Sequence, residues 1–74
     1  MIAELDVVVL RRDGPAVGLQ VGDVGTVVMS YDNGEAYEVE FVTLTGRTVS
    51  VVTLPAEAVR SVEPTDMTHV RAAV

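Results

Sequence analysis

The sequence predicts an all-β fold: five short strands rolled into a small, partly open barrel. Three observations lead there. Seventeen of the 74 residues are valine, and β-branched side chains sit well on a pleated surface and less well in a helix. Short stretches of alternating apolar and polar residues recur between turns marked by Gly, Pro, Asp and Asn, which is the strand-and-turn pattern. Finally, no stretch before the C-terminal tail sustains a helical period beyond a single turn.

Taken in order, Val7–Arg11 forms the first strand. Arg12–Gln20, broken by Gly14, Pro15 and Gly18, is a long loop. Gly22-Asp23-Val24-Gly25 leads into a second strand, Thr26–Tyr31, and Asp32-Asn33-Gly34 turns the chain. The third strand is Ala36–Thr43, the next turn Leu44-Thr45-Gly46, and the fourth strand Arg47–Thr53. Leu54–Ala58 reads as one helical turn, with Pro55 near its start where a missing N–H costs least. Val59–Val62 is a short fifth strand.

Alternation fixes an expected register. Tyr37, Val39 and Phe41 share one face of the third strand, with Glu38 and Glu40 on the other. A three-residue Asp32-Asn33-Gly34 loop, with Gly34 left-handed, pairs Met29 with Tyr37 and Val27 with Val39, matching apolar with apolar. By the same rule a Leu44-Thr45-Gly46 loop, with Gly46 left-handed, pairs Phe41 with Val49 and Val39 with Val51. Glu38 then lies beside Val28 and Val52, Glu40 beside Thr26 and Ser50, and Val42 beside Val24 and Thr48. The meander cannot close its own core, so the first and fifth strands must cover it.

This order of elements resembles the SH3-like barrel, and Val21–Val28 resembles the glycine-bearing turn and strand of KOW-type modules. A closer resemblance runs through Glu4–Leu10, Gly18-Leu19, Gly22–Val28, Ala36–Phe41, Thr53-Leu54-Pro55 and Val59-Arg60. These segments resemble a family of small bacterial domains catalogued as domain of unknown function 4926. That family has no assigned activity and no defined catalytic residues, so the resemblance implies a fold and no chemistry. It also implies a two-gene pairing of the toxin–antitoxin kind, with this chain as the small acidic member. The resemblance covers residues 1–62, the expected domain, and leaves 63–74 as a tail.

Composition narrows the function classes. Without cysteine there is no disulfide, thiolate nucleophile or zinc knuckle. Five arginines, no lysine and eleven carboxylates give a net charge of −6, which argues against binding a phosphate backbone. Arg11 and Arg12 open the long loop beside Asp13, where local ion pairing is the simpler reading. His69 is the lone histidine, and only Asp66 is near it in sequence, so no metal is expected. Ser50 and Ser61 have no base within a plausible strand register. Glu38 and Glu40 stand roughly 7 Å apart on one strand face. Two carboxylates at that separation can serve glycoside hydrolysis, but no neighbouring charge or pocket sets their protonation apart, and a solvated strand face explains them. No cofactor is expected, and no apolar run is long enough to cross a bilayer. An acidic start, Glu4-Leu5-Asp6, lacks the basic character of a secretory signal, so the expectation is cytoplasmic.

What remains is binding. A chain this short buries a core that barely offsets the entropy of ordering it, so burial against a protein partner or a second copy is expected. The outer sheet face, with Val28, Glu38, Glu40, Val42 and Val52, is the expected contact surface. The chain ends in a short helix or a tail: as a helix over Met67–Val74, capped by Thr65 or Asp66, it would carry Met67, Val70 and Val74 in one apolar stripe, the expected tail contacts, and it either docks through them or is disordered. The expected function is a non-enzymatic protein-binding module, with a KOW-like nucleic-acid module and an accessory or maturation subunit of an enzyme as alternatives.

Overall fold

The computed structural model describes residues 2–14 and 18–72. Five antiparallel strands make one sheet: β1 (Val7–Leu10), β2 (Val24–Tyr31), β3 (Ala36–Val42), β4 (Thr48–Pro55) and β5 (Val59–Ser61). Their order is β4-β3-β2-β1-β5. A 3₁₀ turn, Ala56–Ala58, joins β4 directly to β5, and Pro55 caps it at φ −66°. That link decides the overall shape. The edges of a flat five-stranded sheet stand about 19 Å apart at the usual strand spacing, whereas a single 3₁₀ turn advances only about 8 Å. The sheet therefore curls until its edges approach, and the concave side becomes the core.

Val8, Leu10, Leu19, Val27, Tyr37, Val39, Phe41, Leu54, Ala58 and Val59 fill that side, with Ile2, Val52 and Ala56 packed against them. The five-stranded all-β expectation holds, with strand ends shifted by two residues or fewer. Gly34 and Gly46 are left-handed as expected, at φ 94° and 90°.

Each hairpin departs from the expected register by one residue. In the first, Asp32 and Asn33 also have positive φ, 51° and 57°, a conformation these two residue types tolerate. Tyr31 O accepts from both Gly34 N and Glu35 N. The turn is thus four residues long and pairs Tyr31 with Ala36. Carried through β2, that pairing would invert the strand. A bulge at Val28 absorbs the offset: Met29 faces Glu38 instead of Tyr37, while Val27 still faces Val39 in the core.

The second hairpin turns as expected, with Thr43 N donating to Arg47 O at 2.8 Å and Val42 opposite Thr48. Val49 then bulges, so Phe41 pairs with Ser50 and Val39 with Val52, not with Val49 and Val51. The reason is energetic. The unbulged register would bury the Thr53 hydroxyl and expose Leu54, and the bulge reverses both.

The tail is not helical over residues 67–72, so the expected Met67–Val74 helix is not formed across its described part. Eight residues are too few to hold an isolated helix in water, and its capping candidate Asp66 is engaged elsewhere. Val74 lies outside the described residues.

Candidate partner-docking face

The convex side of the sheet carries side chains in rows that the bulges define. One row crosses four strands: Val7, Thr26, Glu40 and Val51. Another runs Met29, Glu38 and Thr53. Val42 opposes Thr48 at the far end of the sheet. Val24, Met29, Val42 and Val51 are each about half exposed, at 54, 46, 45 and 48%. Val28, in the bulge, is 37% exposed. Glu38 and Glu40 are half-buried among them.

Of the expected contact residues, Val28, Glu38, Glu40 and Val42 are on this face. Val52 is not: the Val49 bulge turns it inward, where it packs on the core. Val51 takes the place beside Glu40 that was expected for Ser50, and Thr53 the place beside Glu38 that was expected for Val52. Val51 and Met29 were missed because only the bulges bring them beside the carboxylates, whereas Val24, expected beside Val42 on this face, is exposed there.

Both carboxylates are held by neighbours. The Tyr31 hydroxyl donates to Glu38 Oε1 at 2.5 Å, and the Thr48 hydroxyl donates to Glu40 Oε2 at 3.1 Å. The bond to Glu38 raises the Tyr31 hydroxyl above the usual phenol range, since losing its proton would set two anions side by side. No basic side chain lies within β2, β3 or β4, so the face is apolar with two fixed negative groups.

The tail returns to the sheet through charge, not through its apolar stripe. Met67 and Val70, expected to dock, are 90 and 71% exposed. Arg71 does the docking: Nε donates to Asp23 Oδ1 at 2.9 Å, and a terminal nitrogen donates to Asp23 Oδ2 and to Gly18 O, each at 2.5 Å. Asp23 stands in the turn before β2, where its Oδ2 also accepts from Gln20 N at 2.9 Å. Partial burial raises its carboxyl, but the bonds from Arg71 and Gln20 and the arginine charge outweigh that and leave it below the ordinary range. Nearer the sheet, Arg60 on β5 holds Asp66 through two bonds, at 2.8 and 2.9 Å. With a further bond from Glu63 N, this lowers the Asp66 carboxyl to about 2. Between tail and sheet lies a groove of about 440 Å³, lined by Val24, Phe41, Val42, Leu44, Val49 and the tail from Met67 to Arg71. His69 is on its wall. Among the described residues no three potential metal ligands converge, and no helix is long and apolar enough to cross a membrane.

Comparison with curated proteins and with solved structures returns no match. The family described as domain of unknown function (DUF4926) matches residues 4–61, which span β1 through β5 and both bulged hairpins. The chain belongs to the DUF4926 family.

Proposed function

We propose that this chain is a non-enzymatic protein-binding module, the small acidic partner of a neighbouring gene's product. Its contact surface is the convex face of β2, β3 and β4. One observation carries the reading: Val24, Met29, Val42 and Val51 are half exposed around Glu38 and Glu40, with no basic residue on these strands. A partner segment offering apolar side chains and one or two arginines or lysines complements such a face, and charge complementarity would speed its encounter with a chain of net charge −6.

The test is co-expression with the product of the adjacent gene, followed by calorimetric titration of the purified pair. Val42→Asp is expected to weaken binding at least about tenfold, by placing a carboxylate in the apolar contact, and the double change Glu38→Gln and Glu40→Gln to reduce its salt dependence. A pair that does not associate overturns the proposal, as does an affinity indifferent to all three changes.

A further inference from the structure

We infer that β4 is a self-pairing edge, and that two copies of the chain join antiparallel β4 strands about a two-fold axis at Val52. The inference is independent of any partner on the convex face. β4 is an edge of the sheet, and among the described residues it makes no backbone hydrogen bond except toward β3. Ala56 N donates to Glu35 O at 2.9 Å, and Pro55, opposite Ala36, has no N–H to give. Antiparallel pairs alternate between hydrogen-bonded and non-bonded. Leu54, Val52 and Ser50 therefore direct their N–H and C=O at Tyr37, Val39 and Phe41, whereas Thr53 and Val51 direct theirs away from the sheet.

With the axis at Val52, Val51 of one copy faces Thr53 of the other, twice over. Each pair exchanges two bonds, so four backbone hydrogen bonds cross the seam. Val51 and Thr53 also meet on the convex face, a pairing of β-branched residues that suits adjacent strands. Pairing stops naturally at both ends. Pro55 cannot donate, and Arg12–Gly14 stand across a cleft from Thr53–Pro55; at the other end the ladder meets the Val49 bulge.

Charge selects a second copy as the occupant. Exposed edges are ordinarily guarded by lysine, other charges or an inward-pointing polar group, yet Thr48–Pro55 holds no charged residue. The opposite edge, β5, has three residues and carries Arg60 tied to Asp66. In a chain of net charge −6, β4 is thus a strand at which two copies meet with no acid on the strand itself, and Arg12 and Asp13, across the cleft at its Thr53–Pro55 end, add one charge of each sign. The nearest acids on the face, Glu38 and Glu40, are on β3. Across the seam the two β3 strands lie three strand spacings apart, about 14 Å, beyond the ~8 Å screening length at physiological salt.

Sedimentation equilibrium of the full chain tests this. The expected mass is twice the chain's 7.9 kDa, with association strengthened as salt is raised. Val51→Pro deletes one seam donor per copy while leaving the β3 ladder intact, and is expected to weaken dimerisation about 30-fold. Thr53→Lys, which keeps the backbone unchanged, serves should the proline variant fail to fold, and is expected to yield monomer. Amide exchange at Val51 and Thr53 is expected to slow as concentration rises. A monomer up to millimolar concentration overturns the inference. So does a dimer that survives Thr53→Lys with the Val51 and Thr53 amides still exchanging freely, which would put the interface elsewhere.

Discussion

Arg71 holds Asp23 across 48 positions of sequence, by a side-on pair of hydrogen bonds at 2.9 and 2.5 Å. The same guanidinium reaches Gly18 O, so one side chain ties the tail to both ends of the Gly18–Asp23 turn. The planar fork of arginine makes this possible, and a lysine could not reproduce it. Arg71→Lys and Arg71→Ala are therefore both expected to free the tail. The backbone order of residues 67–72, read by amide ¹⁵N relaxation, should fall in each variant while that of β1 to β5 is unchanged. Unchanged tail order in Arg71→Ala would mean that the ion pair contributes nothing to docking.

The two tail ion pairs give the chain a specific acid response. Asp66 is lowered to about 2 by Arg60 and the Glu63 amide, and Asp23 is lowered by Arg71 and the Gln20 amide, against the opposing effect of its own burial. A depressed folded-state pKa contributes stability above the unfolded value, and that contribution is lost as pH falls toward the folded value. For Asp66 the window runs from the ordinary 3.8 down to about 2. Asp66→Asn is expected to remove this part of the acid dependence, so that stability measured in urea falls less steeply between pH 4 and 2 than in the parent.

Most of the strand pattern was legible because it rests on a period of two and on glycine-marked turns. Val27 against Val39, the left-handed Gly34 and Gly46, and the Pro55 turn all followed from local chemistry. The bulges at Val28 and Val49 did not, since an extra residue leaves no mark in alternation and is chosen by what the rest of the strand must bury. The convex face was consequently read with Val52 in it and Val51 out of it. The tail was misread for a different reason. Its apolar spacing suggested a helix, but a lone Arg71 finding Asp23 is a tertiary event that no local spacing announces.

Gly25 and Gly46 separate two reasons for needing glycine. Gly25 lies in β2 with ordinary strand φ, but an added Cβ would come within 2.5 Å of Val39 Cγ1 and 3.0 Å of both Glu40 O and Phe41 Cδ1. Gly46 has open space around it and φ +90°. Gly25→Ala is thus expected to cost about 1–3 kcal/mol through overpacking, and Gly46→Ala about 1 kcal/mol through backbone strain alone. Gly46→Asn should recover much of the loss, because Asn tolerates the left-handed region, whereas no side chain rescues Gly25. Urea titrations of the three variants check this.

Tyr31 and Glu38 give the convex face a spectroscopic reporter. The bond from the hydroxyl to Glu38 Oε1 raises the Tyr31 hydroxyl above the usual phenol range. In a Tyr37→Phe background, tyrosinate absorbance follows Tyr31 alone. Its ionisation is expected above pH 10, the ordinary value, and Glu38→Gln should bring it back down, since the neutral amide removes the anion that opposes tyrosinate. A titration unmoved by Glu38→Gln would show that the bond does not form in solution.

Val51 and Val52 decide the β4 register directly, because neighbouring residues of a strand answer to opposite faces. With the Val49 bulge, Val52 packs on the core and Val51 is 48% exposed beside Glu40. Val52→Ala is then expected to cost about 1–2 kcal/mol, the loss of two methyl groups from a packed site. Val51→Ala is expected to cost under about 0.5 kcal/mol, as a surface change. The unbulged register, in which Val39 faces Val51, reverses the order. Chemical denaturation at a protein concentration low enough to keep the chain monomeric makes the comparison free of any β4 self-pairing. A larger loss at Val51 than at Val52 would remove the bulge, and with it the convex face and the seam at Val51 and Thr53.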